Sequence, residues 1–293
     1  MTLRAQLFLK SNVVLALCAS TTGARIEHPL VVPCAHGTTS GRSDHPTRKL
    51  KFSRVVSLIR APVSIQKGTF IRKTIYLLIS LSSSLVYAQS SICFGTTSNG
   101  SLKNGVELPS EGNNFVSYSS VARLAGRNYV HSSVKDIIIN SYKKLEVKMP
   151  NKVYKYAETG FKDGGKFSPH KTHQNGLSVD FMTPVLNKEN ESVHLPTHLL
   201  NKFGYDIEFN KSGEYEDYRI DYEALASHIV ELHKEAKRQG FDLWRVIFDP
   251  KLQPNLFQTK YGKYLKQNIQ FSKKRSWVRH DEHYHVDFEI PCK

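Results

Sequence analysis

Acidic residues are nearly missing from the first 88 positions of this 293-residue chain, where only Glu27 and Asp44 stand against 12 lysines and arginines. The remainder holds 29 basic and 24 acidic residues, so the formal net charge of +15 overstates how basic residues 89–293 are. Phosphate-binding surfaces need clustered, unmatched cations; that balance argues against nucleic acid as a partner. Internal repeats and long low-complexity linkers are also lacking, which leaves residues 89–293 as one domain. Cysteine is scarce, with four in the whole chain and only Cys93 and Cys292 beyond Ala88.

What the N-terminal region does have is a leader pattern. Arg72 and Lys73 precede the apolar run Thr74 to Leu81, followed by Ser82 to Ser84 and then Val86, Tyr87 and Ala88. A basic flank, a short apolar core and small residues around a cut site predict a secretory signal peptide over 66–88, cleaved after Ala88. The core is too short to span a bilayer comfortably, so no stable membrane anchor is expected. Residues 1–65 are Arg- and Ser-rich, acid-poor and aperiodic. They read as an extension from a start codon assigned too far upstream, or as an organelle transit peptide. Cleavage would leave Cys93 and Cys292 as either two buried thiols or a bridge closing a very long loop in an oxidising compartment.

Thr96 to Asn114, rich in Gly, Ser and Asn, predicts loops. Ser133 is a candidate cap for a helix with Val134, Ile137, Ile138, Tyr142 and Leu145 on one face. Asp221 caps a second, with Leu225, Ile229, Leu232 and Ala236 on one face and Gly240 as its stop. Ala157 to His173 reads as a long ordered loop. Leu177 to Met182, Phe241 to Asp249 and Ser276 to Ile290 are strand candidates. Strands and helices mix without regular alternation, which predicts an α+β single domain with a small antiparallel sheet flanked by helices and long loops.

Two stretches carry chemistry. The first runs from His173 through Gly176 to Asp180; the second is His283-Tyr284-His285. Two histidines and a carboxylate make a ligand set for a catalytic zinc that keeps one position for water. Alternation along Leu177–Met182 sends Asp180 to the face opposite Leu177, Val179 and Phe181. Residues two apart on a strand share a face, so His283 and His285 project together with Asp287 in line, while Glu282 and Tyr284 point away. That geometry removes Glu282 as a general base. We assign zinc ligation to His173, Asp180 and His285 and proton transfer to His283; Gly176 lets the backbone turn between the first two ligands. The predicted sheet carries this site.

His170, His173, Gly176 and Asp180, with His280, His283 and His285, resemble the motifs of the penicillin-insensitive murein endopeptidases. These are zinc peptidases of the lysostaphin and D-Ala-D-Ala metallopeptidase fold group. The similarity extends to Ser98-Asn99-Gly100, Leu108-Pro109 and Arg245 to Pro250, and covers nearly all of 91–293. It implies a periplasmic or secreted zinc D,D-endopeptidase that cuts peptide cross-links between D-alanine and diaminopimelate in bacterial peptidoglycan. By the same resemblance His173, Asp180 and His285 bind zinc, His283 is the catalytic partner, and His170 and His280 line the cleft or add a ligand. Some family members carry further metal-binding Asp and His residues between the motifs. Asn210 to Asp217 contains no histidine here, so one zinc per chain is expected.

Other residues read more plainly. His228 and His233 are expected on a helix surface, His194 and His198 in a surface loop, and Trp244 and Trp277 in the core. Lys273-Lys274-Arg275 reads as a solvated charge run, or as a contact for the acidic groups of peptidoglycan. The competing functions are a non-catalytic, zinc-stabilised wall- or peptide-binding module and a D,D-carboxypeptidase. A free imidazole at His283 favours catalysis, since a purely structural site has no use for one.

Overall fold

Five strands build the sheet that holds the site: β1 (Phe115–Ser117), β2 (Tyr154–Tyr156), β3 (Ser178–Met182), β4 (Asp242–Ile247) and β5 (His283–Glu289), in the order β4-β5-β3-β2-β1. The computed structural model describes residues 89–293; the extension 1–65 and the leader 66–88 lie outside the described residues. The β4–β5, β5–β3 and β3–β2 pairs are antiparallel. β1 and β2 pair in parallel, so the sheet is mixed and not wholly antiparallel as expected. A parallel pair needs a crossover connection, here supplied by helix α1 (Ser132–Lys148).

Helix α1 buries the predicted face of Val134, Ile137, Ile138, Tyr142 and Leu145. Its cap is His131 and not Ser133: the His131 side chain accepts from Ser133 N–H at 3.2 Å. Helix α2 (Tyr222–Arg238) is capped by Asp221, which accepts from Ala224 N–H at 3.0 Å. The chain leaves α2 through Gly240 at φ +81°, a left-handed turn that glycine adopts without cost. His228 and His233 are buried, against expectation. The His228 ring packs 4.9 Å from Tyr142 and 4.8 Å from Phe181, and its Nδ1 meets the Tyr284 hydroxyl. His233 sits between the Tyr264 hydroxyl at 2.8 Å and Asp242 at 3.0 Å.

The Gly- and Asn-rich segment after Thr96 is not all loop. Asn99–Lys103 forms a hairpin with Ile92–Thr96, and Val106–Glu107 pairs with Tyr129–Val130. At the other end only His283 onward is strand; Ser276 to Glu282 approaches it as loop. Cys93 and Cys292 form a disulfide across 199 residues, with Cα atoms 4.8 Å apart. No helix among the described residues is long and apolar enough to cross a membrane.

Trp244 is 45 % exposed and Trp277 55 %, so neither belongs to the core. For Trp244 the cause is a β-bulge: Leu243 pairs with Phe288 and Arg245 with Asp287, leaving Trp244 unpaired on β4. The extra residue reverses the alternation beyond it. Arg245, which unbroken pairing would send to the Leu243 side, therefore faces the same side as Asp287.

Candidate metal centre

Register assembles most of the site. The β5–β3 pairing puts His285 opposite Asp180 and Asp287 opposite Ser178. Tyr284 and Val286 take the other face, buried in the core. His173 comes from the long loop before β3, where φ is +71° at His173 and +76° at Gly176. A Cβ on Gly176 would stand 2.8 Å from His131 N and 2.7 Å from the Leu102 side chain. Positive φ and close approach together require glycine there, as the turn between the two motif residues predicted.

The His173 ring is locked from behind. Its Nδ1 lies 2.8 Å from the Thr159 carbonyl, and a carbonyl only accepts, so Nδ1 carries the hydrogen and Nε2 keeps a lone pair. That Nε2 faces Asp180 Oδ2 at 3.4 Å. Both atoms are buried and neither has a hydrogen-bond partner. The second Asp180 oxygen lies 2.7 Å from His285 Nδ1, and His285 Nε2 lies 2.8 Å from Asp287 Oδ1. His170 joins them, with Nδ1 3.9 Å from Asp180 Oδ2. Donor atoms of His170, His173 and Asp180 lie within 4.8 Å of one another.

Buried polar atoms are almost always satisfied, so two orphaned acceptors facing each other fit a metal ion. The electrostatics agree. Burial works against a charged Asp180, yet His173 and His285, when protonated, hold its pKa well below the usual carboxylate range. Burial likewise disfavours charged His285, but the Asp287 and Asp180 carboxylates overcome it and push its pKa up to about 10. A charged His285 and the Arg245 guanidinium answer these two carboxylates, and a metal ion held by Asp180 and His285 would take the place of the His285 Nδ1 proton.

Asp287 carries more structure than its place in line suggested. It accepts from Ser178 Oγ–H at 2.5 Å and from Arg245 Nε–H at 2.6 Å, besides contacting His285. Glu282 corrects an expectation. Alternation sent it away from the cleft, but the strand starts only at His283, and the Glu282 carboxylate folds back to 2.7 Å from His283 Nδ1. Burial lowers the His283 pKa and Glu282 more than offsets this, leaving it raised. His280, at φ +56°, sets its ring 4.6 Å from His283; burial draws its pKa down to about 4 and that of His170 to about 3. His170, Asp180, His280, His283 and His285 line one cleft of about 170 Å³, with Trp277 and Arg245 also on its wall.

Tyr205 had no signal in the sequence. Its ring stands 5.2 Å from that of His283 and 6.1 Å from that of His170, and its hydroxyl is buried without a partner. It follows the 3-10 segment Leu199–Gly204, which is kinked by positive φ at Lys202 and Phe203.

Residues 93–293 match the sequence family described as penicillin-insensitive murein endopeptidase. The chain belongs to that family. As a murein endopeptidase it is a metallopeptidase, a hydrolase whose substrate is peptidoglycan. A comparison with curated proteins gives no match. The matched residues 93–293 include the whole histidine–carboxylate cluster.

Proposed function

We propose that the protein is an exported, zinc-dependent D,D-endopeptidase hydrolysing D-alanyl–diaminopimelate cross-links, with His173, Asp180 and His285 as zinc ligands and His283 as the proton-transfer residue. The observation that carries this reading is the facing pair of buried, unpartnered atoms, His173 Nε2 and Asp180 Oδ2, with His285 on the same carboxylate. Zinc, when bound, supplies a Lewis acid that polarises a carbonyl and lowers the pKa of water.

The chain's own residues orient and move protons. Thr159 holds His173 in the tautomer with its lone pair on Nε2. Asp287 accepts from His285 Nε2–H, which leaves Nδ1 as the ligating atom. Glu282 keeps the hydrogen of His283 on Nδ1 and makes the ring more basic. His283 Nε2 then takes a proton from the attacking water and returns it to the leaving amine. His170 and His280, held neutral by burial, line the cleft without competing for that proton. The signal peptide over 66–88 directs the chain to an oxidising compartment, a reading supported by the Cys93–Cys292 bridge.

The test is digestion of purified peptidoglycan with and without a chelator, with products separated by mass. Conversion of cross-linked dimers into monomers, stopped by the chelator and restored by zinc, is the expected result. Release of free D-alanine alone makes the enzyme a carboxypeptidase, and inactivity of the zinc-loaded protein sinks the reading. His283→Ala should abolish cleavage while keeping zinc content near one per chain; parallel loss of zinc overturns the division of roles.

A further inference from the structure

A second groove, of about 510 Å³, adjoins the histidine cleft and shares Arg245, Ile247 and Ser276 with it. Its far wall is the segment from Gln270 to Lys274. That wall is pinned to β4: Val246 N–H donates to Gln270 O at 2.9 Å, and Ser272 N–H donates to Val246 O at 3.0 Å. The Gln253 side chain adds a bond to Ser272 O at 2.9 Å. The groove is therefore held open by backbone bonds on the edge strand and does not depend on loose side chains.

Its charge is one-sided. Arg245, Lys273 and Lys274 line it, and no acidic residue does. Basic and acidic residues over 89–293 are nearly balanced, so the sign of the groove is local and not a share of the overall charge. Lys273 and Lys274 are exposed and form no ion pair among the described residues. Arg245 is committed to Asp287 through Nε, and its guanidinium lies 4.3 Å over the Trp244 ring.

We propose that this groove is an anion-binding subsite, where Lys273 and Lys274 receive a free carboxylate of the cross-linked stem peptide whose scissile bond lies in the adjoining cleft. The proposal rests on the murein endopeptidase reading and adds to it a preference for substrates with unmodified carboxylates. Each exposed charge contact contributes modestly and is screened by salt. Two exposed lysines that follow directly on the pinned Gln270–Ser272 stretch give about a tenfold preference at low ionic strength.

The experiment uses the zinc-loaded full chain and two soluble cross-linked peptide dimers from peptidoglycan, one with free stem-peptide carboxylates and one with those carboxylates amidated. The wild-type protein is expected to cleave the free-acid dimer with about tenfold higher kcat/KM, the ratio shrinking as salt rises. Lys273→Glu/Lys274→Glu should bring the ratio to about one or below, chiefly through KM, with zinc content and melting midpoint unchanged. Lys143→Glu/Lys144→Glu, the same charge change on the exposed side of α1, should leave the ratio as in the wild type. A wild-type protein that does not discriminate, an unchanged ratio in the groove variant, or equal shifts from both pairs each overturns the subsite. Failure of the wild-type protein to cleave either dimer instead overturns the endopeptidase reading, and the subsite with it.

Discussion

Asp287 shows how much of a metal site lies behind its ligands. Its carboxylate receives Ser178, Arg245 and His285 at 2.5–2.8 Å, so it fixes both the ring angle and the tautomer of His285. Replacing Asp287 with Ala should weaken zinc binding about 10- to 100-fold, measured by competition with a chromogenic chelator; unchanged affinity would mean that packing alone orients His285. His173, Asp180, His283 and His285 could be singled out in the sequence by residue type and spacing, and the fold brings them together. Glu282 was misread since it stands one residue before its strand begins, where alternation has no force. Tyr205 was invisible because a kinked segment, with no motif of its own, delivers it. His228 lies on the buried face of α2 and bonds through Nδ1 to a tyrosine hydroxyl, a pairing between residues 56 apart in sequence.

Elements were legible wherever periodicity was clean. The apolar faces of α1 and α2 and the alternation in β3 and β5 all stand as read. Irregularity defeated the reading elsewhere: the bulge at Trp244 moved Arg245 to the site face, and a capping histidine replaced the expected serine. The turn at Gly176 belongs to this scale, because it sets how the His173 loop meets β3. Gly176→Ala adds a Cβ against backbone at φ +76°, and should cost about 2 kcal/mol or more of stability. Urea denaturation checks it, and zinc occupancy should fall in parallel as His173 shifts. An alanine variant with wild-type stability and occupancy would show that the loop has room to relax.

At the scale of the molecule, the α+β class followed from the mixture of elements, while the parallel β1–β2 pair did not. Its partners are separated by a helix, and local patterns say nothing about such pairings. The bridge between Cys93 and Cys292 also depends on distant residues; sequence supplied only the two candidates. It encloses almost the whole described chain, and the chain-entropy estimate for a loop that long is about 5 kcal/mol. Cys93→Ser/Cys292→Ser should therefore lower unfolding free energy by about 2–5 kcal/mol in urea titrations, and reductant should reproduce the loss in the wild type only. A smaller effect in the variant would point to residual structure in its unfolded state.

The same closure has a mechanical side. Lys293 and the Ile92–Thr96 strand exchange backbone bonds, Gly95 N–H to Lys293 O at 3.1 Å and Lys293 N–H to Cys93 O at 2.9 Å, directly beside the covalent link. A pull applied between residue 89 and residue 293 runs through four peptide units, one disulfide and one more peptide unit. Residues 94–291 hang off that line of force, so tension between those two residues bypasses the cleft.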